Sequence, residues 1–190
     1  MGSIEDAQKK PKNIGAIRAK FEQFVPNLEF PDEEKARRCV DLAITAAESG
    51  NFGAGCVIVD PQGQIVAEGR NNVFGTHFSS KDHAEMVAID EFERKFPNRS
   101  MRDCTLFTSL EPCLMCTGRV ITAGTGKIRY VADDPLGGMA RLIDTLPGEW
   151  PKLAAAQDWA KAECSPALQE MAWQAFTCNA LELNAKLKRR

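Results

Sequence analysis

The chain has 190 residues, of which 44% are hydrophobic, enough for one globular domain with a sizeable core. Its net charge of −2 and pI of about 5.8 argue against a broad basic surface for nonspecific nucleic-acid binding. No hydrophobic run approaches the length of a transmembrane helix, so no membrane partner is expected.

The amino-terminal residues and the cysteines indicate a reducing compartment. Residues 1–12 are polar, lack the apolar centre of a signal peptide and are predicted to be disordered. The seven cysteines are odd in number, and without an export signal a disulfide framework is not expected. We therefore predict a cytoplasmic protein with reduced thiols. Five cysteines are predicted to be small buried core residues: Cys39, Cys56, Cys104, Cys164 and Cys178.

Two helices and a hairpin are predicted in the first third of the chain. Asn13 can cap a short helix with apolar residues at helical spacing, which Pro26 ends. A second helix is predicted to start at Asp32 or Pro31 and to run to about Ser49, with a glycine as its stop. Two β-rich runs, Gly55–Asp60 and Gln64–Gly69, are separated by a short turn and predict a β-hairpin.

Strands and helices alternate in the remainder of the chain. After a loop at residues 70–81, the predicted elements are a helix at 83–96, a strand at 105–109, a helix at 113–123, a strand at 127–132, a loop or short helix at 136–148, and helices at 149–163 and 166–187. A strand, a helix and a second strand in succession indicate parallel pairing through a crossover helix, and hence an α/β fold.

Two short stretches carry the residue types that metal chemistry needs. Asp82–Glu85 supplies an imidazole and a carboxylate, and Glu111–Cys116 supplies two thiols. Catalytic zinc sites use three protein ligands and leave one position open for water. His83, Cys113 and Cys116 make such a set, which predicts a catalytic zinc site rather than a closed structural one.

Neither half of this pattern is diagnostic alone, but their conjunction is more specific. C-x-x-C also occurs in redox and structural zinc proteins. The chain has only two histidines, however, and His83 falls two residues before Glu85 in the first stretch. Glu85 is therefore placed to move protons rather than to coordinate the metal. Cys113 and Cys116, at i and i+3 of a helical first turn, would face the same way.

The order H-x-E followed by P-C-x-x-C resembles the signature of the zinc-dependent cytidine-deaminase-like family. The resemblance runs from about Asp32 to Asp133. It implies a three-layer α/β/α sandwich with a mixed central sheet and extra helices at both termini. The predicted organisation is an amino-terminal extension with a short helix at 1–30, a zinc deaminase core at 31–134 and a carboxy-terminal helical extension at 135–190.

The resemblance also assigns roles to individual residues. It implies one Zn²⁺ held by His83, Cys113 and Cys116, with Glu85 as the catalytic acid and base. Proteins of this family usually carry a substrate-binding asparagine after the hairpin, and Asn71 occupies that place rather than Asn72. The substrate contacts implied in this way are Asn71, Gly55, Cys56 and Asp133, with Asp134 as an equal candidate for a contact to a base amino group.

The predicted function is hydrolytic deamination of an amino-bearing nucleobase or nucleoside, with release of ammonia. The motif is compatible with two alternatives. One is a tRNA adenosine deaminase, which the acidic pI disfavours, and the other is a catalytically inactive zinc-bound scaffold that binds nucleobases. A redox C-x-x-C protein is a third, but it would leave His83 unexplained. The expected partners are a small-molecule substrate rather than nucleic acid, and a second copy of the chain, because members of the family usually form dimers or larger oligomers.

Overall fold

A computed structural model describes residues 13–190. The prediction of disorder for residues 1–12 lies outside the described residues. In chain order, the helices and strands are α1 (Ile14–Glu22), α2 (Glu33–Glu48), β1 (Gly55–Val59), β2 (Ile65–Arg70), α3 (Ala84–Lys95), β3 (Thr105–Leu110), α4 (Leu114–Ala123), β4 (Lys127–Ala132), a 3₁₀ helix (Ala140–Thr145), α5 (Trp150–Ala154), β5 (Asp158–Lys161) and α6 (Pro166–Lys188).

The described strands form one mixed sheet in the order β2-β1-β3-β4-β5. β1 pairs antiparallel with β2, as the hairpin prediction requires, and antiparallel with β3 on its other side. β3 pairs in parallel with β4, and Leu106 lies opposite Ile128 in this register. The predicted α/β fold with a mixed sheet is therefore confirmed.

Helices cover both faces of the sheet, because successive side chains of a strand point to opposite sides. Ile58, Leu106 and Ile128 pack in one core with residues of α3 and α4. Residues of the opposite parity, such as Val57 and Val131, pack towards α2 and, for Val131, α6. The result is the predicted three-layer sandwich.

The prediction of a helix at 149–163 is wrong. Only Trp150–Ala154 is helical, and Asp158–Lys161 forms β5, a parallel partner of β4. The backbone N–H of Asp158 donates to the carbonyl of Gly126 at 2.9 Å, and its carboxylate pairs with Arg129. Without this segment the outer edge of β4 would expose unpaired backbone groups. Long-range strand pairing thus outweighs the helical propensity of the alanine-rich segment.

The terminal helices share one core with the central segment. Ile17 and Phe21 of α1 pack with Leu168 and Met171 of α6 and with residues of α2. α1 ends at Glu22, before the predicted stop at Pro26. Within the described residues, no helix is both long and apolar enough to cross a membrane.

The cysteines behave as predicted, with one difference of degree. All seven are free thiols. Four of the five that were expected to be core residues are buried, whereas Cys178 is half-buried. Its thiol lies 3.1 Å from the carbonyl oxygen of Ala175 on the same helix.

The segment at residues 51–54 packs against α6 with close backbone contact. A Cβ atom on Gly53 would lie 2.0 Å from the carbonyl oxygen of Ala175, so only glycine permits this approach. The Asn179 amide donates to the carbonyl of Asn51 at 2.6 Å. Next to it, the rings of Phe52 and Phe176 stack with their centroids 6.1 Å apart. These contacts set the position of α6 relative to the sheet.

This close approach predicts that Gly53→Ala destabilises the protein. The added methyl must push the backbone of α6 away, and overpacking of this kind costs about 1–3 kcal/mol. For a chain of this size, each 1 kcal/mol lowers Tm by about 2–4 °C, which thermal unfolding followed by circular dichroism measures.

The matched control for this experiment is Gly118→Ala in the interior of α4. There the nearest atom to an added Cβ is Cη2 of Trp150, at 4.0 Å. Replacing a helical glycine by alanine at an uncrowded site raises stability by up to about 1 kcal/mol. A Gly53→Ala protein that melts at the wild-type temperature would contradict the close approach.

Candidate active site

The candidate site lies where β3 and β4 end and α3 and α4 begin. His83 immediately precedes α3 and Cys113 immediately precedes α4, both with extended backbone. Neither residue uses its side chain to cap its helix, so both side chains are free to point into the site. Glu111 and Asp134 follow the carboxyl ends of β3 and β4, the edge at which parallel α/β sheets bind ligands.

The structure brings the three predicted metal ligands together. His83 Nδ1 lies 3.6 Å from the Sγ atoms of both Cys113 and Cys116. One ligand atom from each of the three residues lies within 4.8 Å of the other two. This donor set of one imidazole and two thiols is positioned to bind a metal, and it matches the three-ligand sets of catalytic zinc sites.

One of the two thiols is strongly acidified. The hydrogen bond from the Cys116 thiol lowers the pKa of Cys113 to about 4, and the same contact raises the pKa of Cys116. A thiolate at Cys113 is the form that binds metals.

Glu85 lies beside the ligands without joining them. It is buried in the first turn of α3, and burial raises the pKa of its carboxyl above the ordinary value of 4.5. The hydroxyl of Thr108 on β3 lies 3.4 Å from one carboxylate oxygen, and Sγ of Cys116 lies 3.4 Å from the other. Among residues 13–190, Glu85 forms no ion pair with lysine or arginine. A buried carboxyl with a raised pKa is suited to accepting and releasing a proton.

A cavity of about 200 Å³ opens onto these residues. Its wall combines strand ends, the segment after the hairpin and the last helix. The lining residues are Phe52, Ala54, Asn71, His83, Glu85, Leu110, Glu111, Cys113, Asp134, Phe176, Asn184 and Leu187.

Asn71, and not its neighbour Asn72, lines this cavity. Asn71 is 3% exposed, whereas Asn72 points to solvent. The Asn71 side-chain oxygen accepts a hydrogen bond from the backbone N–H of Val73 at 3.2 Å. Because the oxygen is used in this way, the amide nitrogen of Asn71 remains available as a donor.

Gly55 and Cys56 lie next to the cavity but do not line it; Ala54 does. The backbone N–H of Gly55 donates to the hydroxyl of Ser109 at 3.0 Å. Cys56 is fully buried in the core beneath, where burial raises the pKa of its thiol.

Of the two aspartates after β4, Asp134 lines the cavity and Asp133 does not. The Asp133 carboxylate is 55% exposed and pairs with Lys161 at 2.7 Å. Asp134 is 6% exposed, and its Oδ1 accepts hydrogen bonds from the backbone N–H groups of Leu136 and Gly137. Strand alternation explains the choice, because consecutive residues leave a strand on opposite sides.

An ion pair that the sequence did not predict shapes the cavity wall. Glu111 is fully buried and pairs with Arg141 at 2.7 Å. It also accepts the backbone N–H of Asp134 at 3.1 Å, so it holds the segment after β4 against the end of β3. The signal available in the sequence was the glutamate of the Glu-Pro-Cys motif, but its partner lies 30 residues away.

The residues by which α6 contributes to the cavity were not predicted. Phe176, Asn184 and Leu187 of this helix face the site together with Phe52. The one signal in the sequence was a polar residue, Asn184, next to the apolar face of the last helix. None of the three tryptophans lines the cavity, and Trp150, at 37% exposed, is not the core residue that was predicted.

Comparison with known proteins places this geometry among zinc deaminases. Residues 31–132, more than half of the chain, match the family model of the cytidine and deoxycytidylate deaminase zinc-binding region. The match includes the two motif stretches, the hairpin between α2 and α3, and β3 and β4.

Individual relatives carry different names. The chain is 36% identical over 115 residues to the tRNA-specific adenosine deaminase of Bacillus subtilis, covering 60% of this chain and 70% of that one. It is also 36% identical over 115 residues to the tRNA(Ile)-lysidine synthase of Deinococcus radiodurans, covering 57% of this chain but 19% of the relative's length. The X-ray structure of the guanine deaminase of Bacillus subtilis superposes with a TM-score of 0.50 at 31% identity, covering 60% of this chain and 76% of that one.

The geometry predicts one zinc ion per chain, lost in Cys113→Ala. Removing one of three ligands leaves two, too few for a stable site, and activity should be lost with the metal. Metal analysis of the purified protein measures the zinc content. Cys178→Ala, which removes a half-buried thiol on α6, should keep the full zinc content. Full occupancy in Cys113→Ala would overturn the ligand assignment.

Proposed function

We propose a reaction for this chain from the premise that it belongs to the cytidine and deoxycytidylate deaminase family, whose members are hydrolytic deaminases. The reaction is zinc-dependent hydrolysis of an amino group on a nucleobase or nucleoside, with release of ammonia. The observation that carries this proposal is Glu85, a buried carboxyl with a raised pKa that lies 3.4 Å from a ligand thiol and outside the ligand set.

The three ligands fit zinc and leave room for the reaction. His83, Cys113 and Cys116 supply the nitrogen and sulfur atoms that zinc favours, and His83 and Cys113 line the cavity. Held by these residues, zinc would supply Lewis-acid activation of water, lowering its pKa towards about 7.

Glu85 performs the proton transfers. Its carboxylate accepts a proton from the attacking water, and then delivers it to the ring nitrogen next to the carbon under attack. Glu85 next takes the proton of the hydroxyl group now on that carbon and passes it to the amino group, so that the C–N bond breaks, ammonia departs and a carbonyl remains. The Thr108 hydroxyl fixes the orientation of this carboxylate from β3. Burial raises the pKa of the Glu85 carboxyl, which suits it to both directions of transfer.

The polar groups of the cavity suit a flat heterocycle. Asn71 offers a donor, and Asp134 offers a carboxylate oxygen that can accept from an amino group or a ring N–H. The stacked rings of Phe52 and Phe176 and the side chain of Leu187 provide apolar walls for the ring faces. A volume of about 200 Å³ is below the about 300–1,000 Å³ typical of sites for drug-sized ligands. This size favours a free base or a nucleoside whose sugar lies at the mouth.

Adenosine in tRNA is the second candidate substrate. It is favoured by the 36% identity to a tRNA-specific adenosine deaminase. Against it stand the net charge of −2 and the need to extract a base from folded RNA. Ammonia release from free bases and nucleosides, compared with inosine formation in added tRNA, distinguishes the two substrates.

A cytoplasmic location and a small-molecule partner complete the proposal. The seven free thiols suit a reducing compartment. A redox role for the C-x-x-C pair is disfavoured, because His83 lies within reach of both sulfurs and completes a metal-ligand set.

Glu85→Gln separates an enzyme from an inactive zinc-bound scaffold. The amide keeps the shape of the side chain but accepts no proton, and general acid–base groups contribute about 10²–10⁴ in rate. Because Glu85 acts more than once per turnover, we expect kcat to fall by about 10⁴ or more, while the variant folds, retains zinc and still binds substrate. Ammonia release, zinc content and binding calorimetry measure these three properties.

The matched control is Glu93→Gln on the solvent side of the same helix, where Glu93 pairs with Arg119 at 2.7 Å. It should leave kcat unchanged, since an exposed ion pair contributes little. Loss of zinc in Glu85→Gln would show that Glu85 is a ligand. Retention of most activity would show that another group moves the proton.

We further propose a homodimer, supported by an apolar groove beside the site. Leu114 and Met115, in the first turn of α4, are 61% and 38% exposed, and Trp150 of α5 is 37% exposed. These three residues line one groove of about 360 Å³ with Gly118 and Thr122. Exposed apolar residues grouped in this way are typical of interaction surfaces.

The homodimer is tested by light scattering coupled to size exclusion. The wild-type protein should have twice the mass of one chain, and Leu114→Lys should shift it towards the monomer because a charge is placed in the groove. Leu28→Lys, at a leucine that is 73% exposed and lies outside the groove, should leave the mass unchanged. A monomeric wild type at working concentration would rule the proposal out.

A further inference from the structure

Asn184 brings a polar group into the part of the cavity that the last helix forms. It lies eight residues after Phe176 and three before Leu187, so the three share one face of α6. All three line the cavity, and the other two are apolar. The neighbouring Leu183 is 2% exposed and packs against Phe52.

The Asn184 carboxamide has no structural task in the part of the chain that is described. No side-chain hydrogen bond to Asn184 occurs within residues 13–190, whereas Asn179 binds the carbonyl of Asn51 and Asn71 binds the N–H of Val73. A half-buried amide in an apolar wall is unfavourable unless a ligand or water pairs with it. The group is therefore available to a ligand in the cavity.

The position of Asn184 is set in advance by the packing of α6. The close approach of Gly53 to Ala175 and the hydrogen bond from Asn179 to Asn51 hold the helix against the segment that lines the same cavity. A group on such a rigid element is preorganised, so little entropy is lost when it binds.

Asn184 also stands apart from the reacting groups. Glu85 and the metal ligands come from the starts of α3 and α4, whereas Asn184 comes from α6, and no hydrogen bond joins it to Glu85. A ligand with its amino-bearing carbon at the metal would present a different edge of its ring to α6. A carboxamide carries both a donor and an acceptor, and so complements a ring edge on which an N–H adjoins an acceptor.

We propose that Asn184 is a specificity-determining residue of the deaminase site, which pairs with the edge of the heterocycle away from the amino group that is removed. This inference rests on the proposed function and deepens it. It names the substrate class as aminated heterocycles with a second polar edge. The metal motif selects the reaction, and the last helix selects among the substrates.

The test compares zinc-loaded wild type with Asn184→Leu on cytosine, guanine, adenine and their nucleosides. For the best wild-type substrate, KM should rise about 10-fold (about 1.4 kcal/mol) with kcat little changed, because the lost contact is present in both ground state and transition state. Adenosine and cytidine, which carry no ring N–H, should lose less than the free bases, so the order of kcat/KM across the panel should change. Zinc content should remain that of the wild type.

Two further variants keep the comparison decisive. Asn184→Asp retains the size and the acceptor of the side chain but not the amide donor. It should therefore restore activity on substrates that donate a hydrogen bond at that edge. If Asn184→Leu does not fold, the kinetics of Asn184→Asp across the same panel test the role of Asn184. Glu182→Gln, on the exposed side of the same helix, loses only a surface ion pair with Lys186 and should behave as wild type.

The outcomes separate this inference from the proposed function. Wild-type kinetics in Asn184→Leu across the panel, or an equal loss on every substrate, would overturn the role of Asn184 while the deaminase activity stands. If zinc-loaded wild type neither deaminates any panel member nor binds one by calorimetry, the proposed function fails, and the inference fails with it.

Discussion

The site depends on two helix starts meeting at one edge of the sheet. His83 and Cys113 each stand immediately before a helix, and their side chains lie within 4.8 Å of each other and of Cys116. This meeting requires β2 and β3 to run in the same direction, so that the segments after both strands lie at one edge of the sheet. They do so because each of them pairs antiparallel with β1, which lies between them. The partial positive charge of a helix start favours thiolates, so the same geometry that places the ligands also prepares them for a metal.

Two buried carboxylates beside the site have opposite electrostatic environments. Glu111 is paired with Arg141 and accepts backbone N–H groups, so its charge is compensated and it holds the wall of the cavity. Glu85 has only a hydroxyl and a thiol as hydrogen-bond partners, and burial raises the pKa of its carboxyl. A compensated carboxylate is a structural element, whereas an uncompensated one exchanges its proton readily. Environment, and not residue type, therefore divides the two roles.

The cavity joins two parts of the chain with separate tasks. The metal ligands and Glu85 come from the centre of the chain, and the apolar wall with Asn184 comes from α6. These parts are coupled through the segment at 51–54, which contacts the last helix through Gly53 and Asn179 and lines the cavity through Phe52. A helix that is packed against the core can change its cavity-facing residues without disturbing the metal ligands, which allows one reaction to serve different substrates.

The sequence by itself determined the features that depend on neighbouring residues. The hairpin, the cap of α1 at Asn13, and the spacing of Cys113 and Cys116 on one helical turn follow from local backbone preference and side-chain periodicity. Only the tertiary structure decided that residues 158–161 form a strand, that Asp134 rather than Asp133 lines the cavity, and that Asn184 joins it. These outcomes depend on contacts such as that of Asn179 with Asn51, 128 residues apart, and no local pattern encodes which distant backbone a segment will meet.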